Sequence, residues 1–482
     1  MLFHTWIFLA FFLVVYPVFL LLKRTRLKAP WLWLASYAFY GYANPLYLLL
    51  IFWSTTVDYL AVVAMAKTRW KKPWLTCSIV NNMLLLGFFK YGQFFVDNLN
   101  ALAAWLGLPF VLSQPNFAFL STTINYLAAS MGLSWTMSPI DLPPLGVSFF
   151  VFQSMSYTID YYRGRVQRET SFIRYATFVS LFPQLVAGPI ERASNLLPQL
   201  RSDTKITPHD AADGASLFVV GLFKKIALAD YLAMYVNPCY GAPGEYGAPA
   251  LLLATFAFAW QIYFDFSGYT DMARGLGRMM GFRLMLNFNN PYLADGLGDF
   301  WQRWHISLST WFRDYVYVPL GGNRRGKFRT YVNMVLTMLI SGLWHGAMWT
   351  FFLWGAVHAV GRLLTRGLEG TVFYRKHVPR AVKQLITFSI VTFAWIFFRA
   401  ETVSDAWLIV SRIATGGWSD PRFPLLAAGL VVAVWAYQYI YESRLRSLLE
   451  PAPVRIALVV AMIVYMATCV TAGGQAFIYF QF

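Results

Sequence analysis

His345 stands between two apolar stretches, Val332 to Leu343 and Ala347 to Val360, in the run Trp344-His345-Gly346. An imidazole has a reference pKa of ~6.5, so near neutrality it can take a proton, give one, or act as a nucleophile. Placing it among apolar residues is costly, and such a group normally faces a cavity or pathway. It can also be a packing histidine bonded to a neighbouring carbonyl, and position alone leaves both readings open. Gly346 permits close approach by a helix or a ligand.

A second imidazole, His305, lies in Phe300-Trp301-Gln302-Arg303-Trp304-His305-Ile306-Ser307-Leu308-Ser309. Helical spacing predicts that Trp301, Trp304 and His305 share one face, either toward a site or as an interfacial helix anchored by its tryptophans. Downstream, Gly321-Gly322-Asn323-Arg324-Arg325-Gly326-Lys327, with Arg303, Arg313 and Arg329, combines flexible backbone amides with cations. That combination suits a phosphate-bearing ligand, and equally a positively charged cytoplasmic turn. It is not a Walker motif, and Gly275-Leu276-Gly277 is not a dinucleotide fingerprint. Asp160, Asp265 and Asp271 are carboxylates with apolar flanks; Arg163 and Arg274 follow the first and last at helical spacing, so local ion pairs or a proton path are both open.

These residues need a frame, and composition supplies it. Of 482 residues, 58% are hydrophobic and only 13% charged, about half the charge of a soluble chain. Mean hydropathy is +0.49. We read an all-α, polytopic integral membrane bundle with roughly ten to twelve membrane-embedded segments. The net charge of +17 sits in short clusters beside apolar runs, which points to orientation and anionic lipid and away from nucleic acid. Cys77, Cys239 and Cys469 are widely separated and fit no zinc or disulfide spacing, so no metal is expected.

Leu2 to Leu22 reads as a retained first span with the amino terminus outside. Asn98 to Pro144 is expected as an outward stretch, and Tyr175 to Ala187 as a re-entrant segment. The span Ala211 to Tyr235 contains Lys224 and Lys225, which must snorkel or face a polar cavity. Leu251 to Phe264 is expected to end at Asp265, with no spanning run from Phe266 to Arg329. Later spans are Leu385 to Phe398, Phe423 to Tyr441 and Ile456 to Phe480, leaving the carboxyl terminus outside. We expect one domain over 1–482: N-terminal spans and outward loop 1–144, core 145–366, C-terminal spans 367–482.

Phe300 to Arg325, read together with Ser341-Gly342-Leu343-Trp344-His345-Gly346-Ala347, resembles the membrane-bound O-acyltransferase superfamily, specifically its alginate O-acetylase branch. Further similarity runs through Gly146 to Gly164, Phe182-Pro183-Gln184-Leu185-Val186-Ala187-Gly188-Pro189 and Tyr263-Phe264-Asp265-Phe266-Ser267-Gly268-Tyr269-Thr270-Asp271-Met272, so it covers nearly the whole chain. Gln302 departs from it, since relatives often carry a basic residue there.

The resemblance implies a ring of helices around a funnel in which a cytoplasmic acyl donor meets an outward acceptor. It implies His345 as the catalytic histidine and His305 as its supporting partner, which, or a nearby donor, would steady the oxyanion. Acetyl-CoA is the expected donor, with Arg313, Asn323, Arg324, Arg325, Trp304 and Trp344 as its contacts. The expected acceptor is a hydroxyl on an exopolysaccharide or on a periplasmic relay acetyltransferase, at the cell inner membrane. Competing expectations are another acyl group or acceptor (alanyl transfer to teichoic acid, peptidoglycan or cellulose acetylation), a proton-coupled transporter, and a structural scaffold.

Overall fold

The computed structural model describes residues 1–113, 118–131, 144–417 and 425–469, and among these every regular element is helical. Residues 114–117 and 132–143 of the expected outward stretch, and 423–424 and 470–480 of the last two expected spans, lie outside the described residues. A crossing needs ~20 apolar residues at ~1.5 Å rise each. By length and composition Tyr47–Lys67, Ala248–Met279 and Arg380–Arg399 qualify, while Trp6–Leu22 and Ala452–Thr468 are apolar but shorter. The chain is a polytopic membrane protein, and its described residues form two compact units.

The first unit comprises Met1–Gly214 and Leu276–Leu284. It holds α1 (Trp6–Leu22), α2 (Lys28–Gly41), α3 (Tyr47–Lys67), α4 (Lys71–Phe89), α5 (Gly92–Trp105), α6 (Ala118–Ser130), α7 (Val147–Tyr162), α8 (Phe172–Ser180), α9 (Phe182–Leu185) and α10 (Ala193–Arg201). The piece expected as re-entrant is α8 and α9, broken at Leu181 and buried from Tyr175 through Ile190. Irregular backbone is tolerated in such a place because protein and not lipid surrounds it. On α3, Asp58 is fully buried and accepts hydrogen bonds from Ser78 Oγ (2.6 Å), Asn82 Nδ2 (2.9 Å) and Ser154 Oγ, tying α4 and α7 to α3. Asp160 pairs with Arg165 at 3.7 Å, two residues beyond the arginine that helical spacing suggested. Asp210 is bonded by the Thr207 hydroxyl (2.9 Å) and then by Arg283 (2.5 Å), which hold its carboxyl down at about 2.

The second unit comprises Ala215–Gly275 and Met285–Phe482. The helix α11 (Pro208–Phe223) continues through a π turn, Lys224–Ala229, into α12 (Asp230–Gly241). Then come α13 (Ala248–Met279), α14 (Leu297–Arg303), α15 (Ile306–Phe312), a second π turn (Arg313–Tyr317), α16 (Gly326–His345), α17 (Trp349–Glu369), α18 (Val372–His377), α19 (Arg380–Arg399), α20 (Val403–Thr415), α21 (Leu425–Glu442) and α22 (Ala452–Cys469).

The expected end of a span at Asp265 is corrected: α13 runs on to Met279. The carboxylate does not stop the helix because Lys225 neutralises it at 2.8 Å. Lys225 also pairs with Asp230 at 2.9 Å, and Lys224 with Asp271 at 2.7 Å, while Arg274 reaches the same Asp271 at 3.4 Å as spacing predicted. The two lysines therefore do not snorkel. The π turn gives both side chains carboxylate partners, and close packing of Gly221 on the backbone of Gly268 lets α11 and α13 approach.

A buried ion pair that loses one member costs about 3–5 kcal/mol, because the other charge is stranded. Asp265→Leu should thus lower the thermal unfolding midpoint of detergent-purified protein sharply. Adding Lys225→Met should recover part of the loss; an equally unstable double variant would contradict this account.

Candidate active site

The site is built on the second unit, around the crossing of α16 and α17. A methyl group at Gly342 would lie 2.3 Å from the Phe351 carbonyl oxygen, and one at Gly355 2.6 Å from that of Met338, so the two backbones touch through their glycines. His345 is the last residue of α16; Gly346 breaks the helix in an extended conformation and α17 starts at Trp349. The imidazole is 4% exposed and ringed by Trp344 and Trp354 (centroids 5.0 Å each) and Phe398 (5.3 Å).

The single helix expected through Trp301, Trp304 and His305 is broken. α14 ends at Arg303, and His305 adopts φ 43°, the left-handed region, before α15 starts at Ile306. For a non-glycine residue this costs about 1–2 kcal/mol and persists only where the surroundings impose it. Here they do: Asn289 N–H donates to Arg303 O and Ile306 N–H to Asn287 O, both at 2.9 Å, pinning the break against residues 287–289. Asn287 Oδ1 meets His305 Nδ1 at 3.1 Å and accepts from Ser307 N–H (3.2 Å) and Ser307 Oγ (2.9 Å). A backbone N–H only donates, so the acceptor is the amide oxygen, and His305 Nδ1 must carry a proton. In the neutral ring Nε2 is then the basic nitrogen, and it can donate to an oxyanion only when the ring is doubly protonated.

One indole joins the two histidines: Trp344 lies 6.1 Å from the His305 ring and 5.0 Å from that of His345. Trp304 packs on Trp395 (5.1 Å) and Phe300 (5.6 Å), deeper in the aromatic core. A third imidazole that the sequence reading passed over, His358, is completely buried against Trp354 (4.8 Å) and Trp301 (5.0 Å). Neither of its nitrogens, nor Trp354 Nε1, has a hydrogen-bond partner among the described residues. Its helical register, four residues after Trp354 on a stripe facing His345, was a signal available in the sequence.

A cavity of about 330 Å³ opens beside this cluster, walled by Trp301, Phe312 and Met338, and reaching Ser341 one turn before His345. Arg313, Arg362 and Arg366 also line it. Arg313 pairs with Asp314 (2.9 Å) and Arg362 with Glu369 (2.5 Å), whereas Arg366 meets only the Met334 sulfur (2.9 Å) and the Tyr331 ring (5.8 Å) among the described residues. Asn323, Arg324 and Arg325 are exposed and do not line this cavity. Of the expected donor contacts, then, Arg313 lines it, Trp344 packs on both histidines, Trp304 lies in the aromatic core, and three sit on an exposed turn.

The family model for membrane-bound O-acyltransferases matches residues 150–403, a segment that contains both histidines, the cavity and the Asn287 clamp. The chain belongs to the membrane-bound O-acyltransferase family. It is 39% identical over 464 residues to the probable alginate O-acetylase of Pseudomonas aeruginosa, a match covering 93% of this chain and 84% of the relative. It is 34% identical over 441 residues to the peptidoglycan O-acetyltransferase of Helicobacter pylori, covering 84% and 78%. The teichoic acid D-alanyltransferase of Bacillus subtilis is 28% identical over 228 residues, covering 45% and 57%. This O-acyltransferase is a membrane enzyme that requires an acyl donor.

Its Gly342 crossing should tolerate no side chain. Gly342→Val is expected to cost about 1–3 kcal/mol by overpacking and to displace His345. Gly87→Ala, with nothing within 4 Å of the new methyl, should leave stability unchanged or raise it. Thermal midpoints of the two purified variants check this, and an undisturbed Gly342→Val would refute the close crossing.

Proposed function

We propose that this enzyme transfers an acetyl group from cytoplasmic acetyl-CoA to a hydroxyl on the outer side of the inner membrane, with both termini outside. The acceptor is an alginate-like polysaccharide or a periplasmic relay acetyltransferase of the exopolysaccharide machinery. The observation that carries the reading is His345, buried among aromatic rings at the α16–α17 break, with a cavity that reaches the preceding turn of its helix. Relatives named as alginate O-acetylases, similar over most of the chain, support the acetyl group and the acceptor class. The Helicobacter relative supports peptidoglycan as a second acceptor to test.

In this reading the donor's phosphates meet Arg313, Arg362 and Arg366, with Asn323, Arg324 and Arg325 near the entrance, and its thioester reaches the aromatic box. A neutral imidazole at His345 takes the proton of the acceptor hydroxyl as the oxygen attacks the thioester carbonyl. The C–O bond forms, the C–S bond breaks, and the proton passes to the departing thiolate. His345 can instead carry the acetyl group transiently on a ring nitrogen. Trp344 sits between the imidazoles, and His305 is the second base of the pair. The oxyanion needs a preorganised donor, and the buried Trp354 Nε1–H, 5.0 Å from His345 ring to ring, is the group we assign to it. Water, which would hydrolyse the thioester, is excluded by the packed rings.

The test is turnover of acetyl-labelled CoA by protein in nanodiscs, with a polysaccharide or peptidoglycan acceptor. His345→Ala should abolish CoA release while retaining donor binding. Trp354→Phe, which keeps the ring and removes the N–H, should lower kcat by roughly 10- to 1,000-fold with little change in KM. Full turnover by folded His345→Ala would sink acyl transfer at this residue.

A further inference from the structure

Asn287 was singled out by neither motif nor spacing, yet it holds the geometry of His305. Its side chain is fully buried, and its one oxygen collects three donors: His305 Nδ1–H, Ser307 N–H and Ser307 Oγ–H. Its Nδ2 has no hydrogen-bond partner among the described residues. A buried amide with unmade N–H bonds is penalised by about 1–3 kcal/mol, so packing alone does not account for an asparagine here. The oxygen is what the site uses. Three bonds into one atom from a backbone amide, a hydroxyl and an imidazole also fix its orientation, because the Ser307 N–H rules out the flipped amide.

We propose that Asn287 is a positioning residue that fixes the tautomer and ring orientation of His305, so that Nε2 is the basic nitrogen presented to the reaction. The inference rests on the acyl-transfer reading above and deepens it. Nδ1 remains protonated throughout, and Nε2 stays a basic nitrogen beside the site while His345 takes the proton of the acceptor hydroxyl and passes it to the leaving thiolate. No proton is gained or lost over the cycle. The surroundings reinforce the assignment: the His305 ring packs against Phe266 in a T-shaped contact at 4.6 Å and against Trp344 at 6.1 Å, while Asn287 holds it at Nδ1. The left-handed backbone at His305 (φ 43°) is the strain that this clamp maintains. A side chain that only packed would require neither.

The decisive readout is the tautomer itself. Protein labelled with ¹⁵N-histidine, reconstituted in nanodiscs, distinguishes protonated from bare imidazole nitrogens, and His305→Gln identifies the resonances of His305. The proposal expects Nδ1 protonated and Nε2 bare in the wild type. Asn287→Leu should lose this state and lower kcat by about 100-fold, with donor KM changed less than about threefold. Asn287→Asp keeps an accepting oxygen in place and should recover at least about tenfold of the lost kcat. A wild-type His305 protonated on Nε2 overturns the proposal, as does an Asn287→Leu variant with wild-type kcat. An Asn287→Asp variant no better than Asn287→Leu overturns it in favour of a structural role. The wild-type spectrum decides even if Asn287→Leu does not fold. Full turnover by His345→Ala would instead remove the acyl-transfer reading on which the proposal depends, and the spectrum, which needs no activity, separates the two failures.

Discussion

The contact on which the site depends is the crossing of two helix backbones through glycine. Gly342 and Gly355 leave no room for a methyl group between α16 and α17. Apolar burial gives little drive to helix association in lipid, where the alternative surroundings are equally apolar, so close van der Waals packing of small residues takes over. The crossing sets everything around it. It faces the end of α16, where His345 sits, with the first turns of α17, and it places Trp354 and His358 on the stripe that meets that histidine. Gly346 then lets the chain turn in a space that the Phe351 ring closes to any side chain.

Buried polarity is met in two ways in this protein. Asp58, and the lysines of the π turn with Asp230, Asp265 and Asp271, are matched by hydrogen bonds or opposite charge. They lock helices together through matched polar contacts. Around the histidines the matching is incomplete: Trp354 Nε1, both nitrogens of His358 and Asn287 Nδ2 have no partner among the described residues. Native proteins keep unmatched buried groups rarely, and consistency between levels is expected to fail first where function needs it. Strain follows the same line, since His305 is one of only two non-glycine residues at positive φ among the described residues.

The helical, membrane-embedded class was legible because it depends on summed composition, which no local detail reverses. His345 was legible for a related reason, an ionisable group between apolar runs being conspicuous in one dimension. Asp271 and Arg274 also obeyed helical spacing. Where the reading departed from the structure, long-range contact had overridden local pattern. Asp265 looked like the end of a span until Lys225, forty residues earlier in the chain, neutralised it. Trp304 and His305 fit a helix by periodicity, but the hydrogen bonds of residues 287–289 break it there. Asn287 gave no signal, since an asparagine in a run of Asn and Phe reads as a turn. His358 did sit at readable spacing from Trp354, and it escaped notice because its neighbours are apolar and no motif frames it.

The cavity combines charge with apolar shape. Three guanidinium groups line a largely apolar space, and two of them already have carboxylate partners. Arg366 has none among the described residues; a thioether and a ring face are weak substitutes for water. A half-buried guanidinium without a carboxylate partner can take an anion, and a paired one can exchange its carboxylate for a phosphate. In the proposed acyl transfer, selectivity for the charged part of the donor would reside in the cavity wall. In the same proposal, selectivity for the transferred group would reside at the other end, where Trp344, Trp354 and Phe398 pack within about 5 Å of the His345 ring. A box that tight favours a small acyl group, because each added methylene has to displace a packed indole or phenyl ring and not solvent. If the two ends work as proposed, their separation would let the acyl group change by altering aromatic side chains alone, leaving the arginines and the histidine geometry as they are.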